Sequence, residues 1–192
     1  MIGSLNILEI LNAHQVQYLV IGTLGAIFEG GELRTDDLDI CPKLTSSNLK
    51  ALGRALNELK AKEWDSRKGE LMPGSDWAEV DLTIDQTWLL ETPHGALDLV
   101  FKPAGTGGYQ DLVRAGQVKD VEGLPVPVAS LEDIVRSKET ANRPKDREQL
   151  PLLRALLKKI QEKRRQEMLD MEGTGWGADI EESRPPARFD EL

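Results

Sequence analysis

The chain has few of the residues that stabilise disulfide-rich or zinc-dependent proteins. It has 192 residues, with one cysteine, Cys41, and two histidines, His14 and His94. A single cysteine excludes an intramolecular disulfide, and these three side chains fall short of the four ligands of a structural zinc site. A chain of this length buries enough surface to fold without either device. We therefore expect a protein of a reducing compartment.

Long apolar runs and a targeting signal are also missing. No apolar run approaches the roughly 20 residues that cross a bilayer. The first residues, MIGSLNILEILNAHQ, contain no basic n-region and no small-residue cleavage site. We expect a cytoplasmic protein without a membrane partner.

Charge is distributed unevenly along the chain. The net charge is −9, yet residues 136–165, here called the basic segment, contain eleven Lys and Arg against four Asp and Glu. The rest of the chain is therefore strongly acidic. A protein that is acidic overall can still bind nucleic acid through one basic segment.

Hydrophobic periodicity predicts an α+β (α/β) fold, a small mixed β-sheet flanked by helices. The predicted strands are residues 17–21, 38–41, 79–84, 87–91 and 96–101. Residues 118–128 are extended, and Pro125 and Pro127 are expected to keep them out of a central strand.

Helix signals place the remaining boundaries. Ser46 or Ser47 is expected to cap one helix, and Ser130 another. Pro151 is compatible with the long final helix only near its first turn. We expect a core at residues 1–128, a helical segment packed on it at 129–169, and an acidic, flexible tail at 170–192.

Asp37 and Asp39 are the strongest candidates for a functional site. Residues two apart in a strand point to the same side, so both carboxylates project together while Leu38 points into the core. Adjacent carboxylates repel each other unless a cation lies between them, and oxygen ligands suit Mg²⁺. The alternative is that these acids form only the polar face of an edge strand.

A turn suited to phosphate precedes the two acids. A predicted strand ends at Gly22-Thr23, and a short helix follows. The N-terminus of a helix offers unpaired N–H groups to a triphosphate, Gly22 lets the backbone approach it, and Thr23 adds a hydroxyl donor. Arg34-Thr35 lies just before the acids, where a guanidinium can neutralise phosphate oxygens.

A third acid, Asp98, lies within the apolar strand ALDLV. Burying an unpaired carboxylate costs several kcal/mol, so Asp98 must be solvated, paired or coordinating. A third metal ligand is its simplest role. Asp81 and Asp85 flank another predicted strand and compete for that role.

Residues 18–40, YLVIGTLGAIFEGGELRTDDLDI, resemble the signature of the nucleotidyltransferase superfamily related to DNA polymerase beta. That signature has a Gly-Ser or Gly-Gly turn, a short helix and an Arg-x-Thr-x-Asp-x-Asp-like segment, and here the turn is Gly-Thr. The resemblance implies two Mg²⁺ ions held by Asp37, Asp39 and Asp98. It also implies a nucleoside triphosphate donor whose nucleotidyl group passes to an acceptor hydroxyl.

Residues 130–146, SLEDIVRSKETANRPKD, resemble a group of bacterial nucleotidyltransferase toxins that includes the abortive-infection protein AbiEii. Those proteins place a Lys on one helix and an Arg-x-Lys-Asp segment before the next, and Lys138 and the segment from Arg143 match. The resemblance implies that Lys138 is catalytic, stabilising triphosphate charge, and that Lys145 and Asp146 bind nucleotide. Two alternatives for Asp146 are that it orients Lys138 or Lys145, or that it binds the acceptor. The alternative for both lysines is a solvated helix face.

Three hypotheses for the acceptor stay open. The first is RNA, especially a tRNA 3′ end, reached through the basic segment. It would make the protein the toxin of a toxin–antitoxin or abortive-infection system, with a cognate antitoxin as partner. The second is an antibiotic or protein hydroxyl, since the acidic body suits a polycation. The third is a non-catalytic nucleotidyltransferase-like binding protein, against which the intact acids argue.

Overall fold

The computed structural model describes residues 2–83 and 87–173. Within these ranges the chain forms helices and strands in mixed order. The helices are α1 Ile2–Ala13, α2 Gly22–Phe28, α3 Ser46–Glu58, α4 Tyr109–Leu112, α5 Leu131–Ala141 and α6 Pro144–Gly173. The strands are β1 Tyr18–Val20, β2 Leu38–Pro42, β3 Lys62–Asp65, β4 Glu70–Leu71, β5 Thr87–Thr92, β6 Gly95–Val100, β7 Gln117–Val121 and β8 Leu124–Val128.

The strands form one mixed sheet in the order β4-β3-β5-β6-β2-β1-β8-β7. β1 pairs with β8 and β2 with β6 in parallel, and the other neighbouring strands are antiparallel. The α+β prediction is therefore confirmed, with a larger sheet than expected. The β2–β6 register pairs Asp39 with Asp98, which brings two predicted acids side by side.

The two faces of the sheet bury separate apolar clusters. Tyr18 and Val20 of β1 belong to the cluster that includes α1 and α3, whereas Leu19 belongs to the cluster formed with α2, α5 and α6. Side chains alternate between faces along a strand, so Asp37 and Asp39 share the second face with the buried Cys41. The acids therefore lie on the same side of the sheet as α2, α5 and α6.

The predicted strand at 79–84 is wrong for the residues that the structure describes. Residues 79–83 form turns, in which the Asp81 carboxylate accepts hydrogen bonds from Thr83 N at 3.0 Å and from Thr83 Oγ1 at 2.6 Å. The sheet instead contains β3 and β4, which were not predicted. β3 (KEWD) has one apolar residue, Trp64, among charged residues, so its sequence lacks the apolar–polar alternation that predicts a half-buried strand.

The caps of α3 and α5 differ in how well they were predicted. Thr45, rather than Ser46 or Ser47, caps α3, and its hydroxyl accepts a hydrogen bond from Asn48 N at 3.4 Å. Ser130 caps α5 as predicted, accepting from Asp133 N at 3.1 Å.

Both proline predictions need correction. β8 lies between β1 and β7 inside the sheet, although Pro125 and Pro127 were expected to exclude it. Only Val128 of β8 pairs with β1, so that neighbour does not need the missing proline N–H groups. Pro151 lies inside α6, about two turns beyond Pro144 and not near the first turn.

Two further predictions concern the C-terminal tail and membrane-spanning helices. α6 continues to Gly173, and the rest of the predicted acidic tail lies outside the described residues. A search of the described ranges finds no helix with the length and apolar character that a membrane span requires.

Candidate active site

A cavity of about 390 Å³ lies where β2 and β6 meet α2, α5 and the start of α6. Its walls include seven of the ten site residues predicted from the sequence: Gly22, Thr23, Asp37, Asp39, Asp98, Lys138 and Lys145. Acidic and basic side chains thus face one space, although they come from distant parts of the chain.

The three acids concentrate negative charge on one wall. Asp39 and Asp98 are register partners on neighbouring strands. Burial raises the pKa of Asp39 to about 6, and the charge of Asp37 adds to the effect. Burial likewise raises the pKa of Asp98 to about 7, with further contributions from Asp39, Asp37 and Glu91. Bringing a cation to this wall would relieve the repulsion.

Asp98 lines the cavity, and its rival Asp81 does not. Asp81 lies in an exposed turn, where the hydrogen bond from the Thr83 hydroxyl and that from the Thr83 N–H lower the pKa of its carboxyl. Asp85 is outside the described residues. Among the described candidates, the geometry favours Asp98 as the third acid.

Gly22 is required at the turn between β1 and α2. Its φ of +64° lies in the left-handed region, which favours glycine. A Cβ built at this position would overlap Asp39 Oδ2 and lie 2.8 Å from Asp39 Cγ. The absence of a side chain therefore leaves the space that Asp39 occupies at the cavity wall.

Lys138 carries a buried charge on the opposite wall. Its Nζ donates to Gln149 Oε1 at 2.8 Å, to Asp146 Oδ1 at 3.3 Å and to Thr23 Oγ1 at 3.4 Å. The Thr23 hydroxyl in turn donates to Gln149 Oε1 at 3.1 Å. Burial lowers the pKa of Lys138, and the charges of Asp146 and Asp39 oppose that change. The network fixes where the ammonium group sits.

Asp146 supports the cavity without lining it. Its side chain is fully buried and accepts hydrogen bonds from Arg143 Nε at 2.7 Å and Arg143 N at 3.2 Å. Burial by itself would raise the pKa of Asp146, but the bonds and charges of Arg143 and Lys138 lower it. Asp146 thus lies behind the cavity wall and contacts Lys138 and Arg143, which line it.

Two predicted residues lie away from the cavity. Arg34 is exposed and does not contribute to the described cavity wall. Thr35 acts locally, because its hydroxyl accepts a hydrogen bond from Asp37 N at 3.3 Å. Arg143, which was not assigned a role of its own from the sequence, lines the cavity instead.

Gln149 belongs to the site but was not among the residues predicted from the sequence. It contacts both Thr23 and Lys138, as described above. It lies three residues after Asp146 on α6, and residues three apart on a helix share a face. That spacing could have indicated its place beside Asp146, but nothing local showed that this face turns towards α2.

The donor set fits Mg²⁺ in chemistry. Carboxylate oxygens are its preferred protein ligands, and Asp37, Asp39 and Asp98 bring theirs to the cavity. Within the described residues, no three His, Cys, Asp or Glu side chains already converge closely enough to hold an ion. Asp37 Oδ2 also lies 3.7 Å from Lys145 Nζ, and metal binding to Asp37 would have to open this exposed ion pair.

Comparisons with known protein structures identify the fold of the chain. No family model and no curated protein matches the sequence. The solution structure of the antibiotic-resistance factor ANT(2″)-Ia is 15% identical, covers 88% of this chain and 92% of its own, and superposes with a TM-score of 0.51. The chain has a nucleotidyltransferase fold. The crystal structure of ANT(2″)-Ia with adenylyl-2″-tobramycin agrees, at 17% identity, coverage of 79% and 85%, and a TM-score of 0.50.

A third nucleotidyltransferase-fold structure is more weakly similar. TM1012 of Thermotoga maritima, a proposed nucleotidyltransferase, is 17% identical over 76% of this chain and 86% of its own, with a TM-score of 0.49. All three identities are low, so the similarity concerns the nucleotidyltransferase fold alone. The AbiEii-like branch inferred from residues 130–146 stays a prediction.

Proposed function

We propose that this protein transfers a nucleotidyl group from a nucleoside triphosphate to an acceptor hydroxyl. The observation that carries the proposal is the placement of Asp39, Asp98 and Lys138 around one cavity, with acids on one wall and a buried ammonium on the other. A site with carboxylates and a buried ammonium suits a reaction between metal-bound phosphates and an attacking hydroxyl. The nucleotidyltransferase fold agrees with this activity.

Asp37, Asp39 and Asp98 would hold Mg²⁺. Bound there, Mg²⁺ supplies charge neutralisation for the triphosphate and lowers the pKa of the acceptor hydroxyl. The raised pKa values of Asp39 and Asp98 are consistent with carboxylates whose negative charge a bound cation would compensate.

The side chains of the chain itself perform the remaining steps. Lys138 and Arg143 bind phosphate oxygens, and Gly22 keeps the turn close to Asp39. The acceptor oxygen attacks the α-phosphorus, a new P–O bond forms, and the bond to the β-phosphate breaks to release pyrophosphate. Asp98 accepts the proton of the attacking hydroxyl.

An RNA 3′ end is the first candidate acceptor, and its support is the basic segment. In the structure several cations of this segment already pair with acids, among them Arg136, Arg154, Lys158, Lys163 and Arg164. Surface ion pairs are weak, so phosphates can replace these partners. An RNA acceptor would favour a growth-inhibiting toxin with an antitoxin as partner.

A small-molecule hydroxyl is the second candidate. The similarity to ANT(2″)-Ia, whose structure holds an adenylylated tobramycin, favours it. The acidic surroundings of Asp98 favour it too, because Glu91 adds negative charge beside the proposed metal ligands.

The test of the proposed function is label transfer from an α-labelled nucleoside triphosphate in the presence of Mg²⁺. Asp39→Ala should abolish transfer, whereas Asp36→Ala, which changes an exposed neighbouring acid, should not. Expression followed by sequencing of RNA 3′ ends then separates the acceptors. Full transfer by Asp39→Ala would refute the proposed function.

A further inference from the structure

A second cavity, of about 240 Å³, adjoins the proposed catalytic site. It shares Asp37, Leu89 and Asp98 with the first cavity and adds Trp64 and Glu91. We call it the Trp64 groove. It extends from the acids towards β5 and β3, and neither Lys138 nor Arg143, the residues proposed to bind phosphate, lines it. A triphosphate held by Lys138 therefore leaves the groove free.

The sheet register aligns the groove with the acids. Leu89 on β5 pairs with Asp98 on β6, which pairs with Asp39 on β2. Glu63 pairs with Leu90, and the same antiparallel register places Trp64 beside Leu89. Neighbouring strands are about 4.8 Å apart, so the backbone at Trp64 lies roughly 10 Å from the backbone at Asp98, two strands away. An acceptor whose hydroxyl reaches Asp98 can extend across Leu89 to Trp64.

Trp64 and Glu91 give the groove a surface for a cation. Trp64 is 39% exposed although it is a large apolar side chain, and Glu91 is exposed. The groove wall contains three carboxylates and no Lys or Arg among the described residues. An ammonium group is attracted both by an indole face and by a carboxylate.

The charge balance favours a cation after substrate binding as well. Mg²⁺ would neutralise Asp37 and Asp98, but the triphosphate brings new negative charge, and Glu91 keeps its own. Lys62 is the register partner of Glu91 on β3 and is exposed, and no ion pair joins the two among the described contacts. The negative charge of the groove wall would repel the phosphates of an RNA strand.

We propose that the Trp64 groove binds the acceptor, and that the acceptor is a small polyhydroxylated amine whose ammonium lies between Trp64 and Glu91. This inference rests on the proposed function. One hydroxyl of the amine attacks the α-phosphorus, its proton passes to Asp98, and pyrophosphate leaves. The distance from Trp64 to the acids calls for an acceptor of two or more linked rings.

The experiment measures binding by titration calorimetry to the full chain with Mg²⁺ and a non-hydrolysable triphosphate analogue. The probes are neamine and tobramycin, each compared with its fully N-acetylated form, and an unfractionated tRNA. We expect both amines to bind at least 10-fold more tightly than their uncharged derivatives. Trp64→Leu and Glu91→Gln should each weaken amine binding by about 3- to 30-fold.

Matched variants separate recognition from folding. Glu70→Gln removes an exposed acid from β4, outside the groove, and should leave binding unchanged. Trp64→Phe keeps an aromatic face and should retain more affinity than Trp64→Leu. Melting curves of all four variants, compared with wild type, report whether the fold is intact.

Distinct outcomes overturn the inference and the proposed function. Absence of amine binding, equal binding of the acetylated forms, or wild-type affinity in both groove variants overturns the groove assignment. Binding of tRNA that the groove variants weaken and amines do not displace assigns the groove to RNA and also overturns it. The triphosphate analogue is titrated alone in parallel, so loss of its binding indicates failure of the proposed function itself.

Discussion

Replacing Asp39 by Asn should stabilise the metal-free protein near neutral pH. Burial and the charge of Asp37 raise the pKa of Asp39 from 3.8 to about 6. Each pKa unit corresponds to about 1.4 kcal/mol, so ionised Asp39 lowers the free energy of unfolding by up to about 3 kcal/mol. An Asn amide still needs hydrogen-bond partners, which leaves an expected gain of about 1–3 kcal/mol. For a chain of this size, that gain raises the melting temperature by roughly 2 to 12 °C.

The sign of the pH dependence follows from the direction of the Asp39 shift. The folded protein holds this proton more tightly than the unfolded chain, so the contribution of Asp39 to stability is largest below pH 3.8. It is lost as pH rises to about 6 and is constant above that. Asp39→Asn has no such proton. Its advantage over wild type should therefore open from about pH 4 and become level only above about pH 7, because the charge of Asp39 also opposes the ionisation of Asp98.

The assay is thermal denaturation in a chelator over this pH range, repeated with Mg²⁺. Asp36→Asn, an exposed acid of the same segment, is the control and should track wild type. Mg²⁺ should stabilise wild type and not Asp39→Asn, because ligand binding to the folded state alone raises stability. A variant that is less stable than wild type at pH 8, or a gap that is the same at pH 4 and pH 8, would refute the reasoning.

Two further predictions concern the walls of the cavity. Gly22→Ala should destabilise the protein by about 1–2 kcal/mol through its positive φ, and should also reduce transfer at least 10-fold because the added Cβ overlaps Asp39. Gly69→Ala is the control, because Gly69 also has a positive φ, +71°, but open space surrounds the added Cβ. In melting curves and activity assays it should show only the destabilisation due to the backbone, with no loss of transfer. Gln149→Leu should raise the KM for the nucleoside triphosphate several-fold, since it removes the acceptor shared by Thr23 and Lys138, whereas Gln149→Glu should retain part of the affinity. Steady-state kinetics in which Gln149→Leu matches wild type would contradict the positioning role.

Several features of the candidate site could be predicted because they depend on neighbouring residues. Asp39 lies on β2 and Asp37 directly precedes this strand, and the two-residue period of an extended chain indicates that both face the same side. The glycine at the end of β1 marks a turn that other residues disfavour, and its φ of +64° agrees. Ser130 starts α5 because its hydroxyl caps the first turn of that helix.

Elements without a local signal were missed or misplaced. β3 has a single apolar residue among charged residues, so its pairing with β5 leaves no apolar period in the sequence. β8 contains two prolines and is nevertheless interior, because only its last residue pairs with β1. In both cases the partner strand, and not the segment itself, decides the structure.

The sequence by itself determined the acid pair at the start of β2, the glycine turn before it and the mixed helix–strand composition. Only the tertiary structure decided that Asp98 rather than Asp81 lies beside Asp39, since strand register depends on how whole strands align. It also brought Lys138 to Thr23, 115 residues earlier in the chain, and added Gln149 between them. Periodicity reports contacts within one element, whereas the site is built where separate elements pack, and that packing is set by the burial of both apolar clusters.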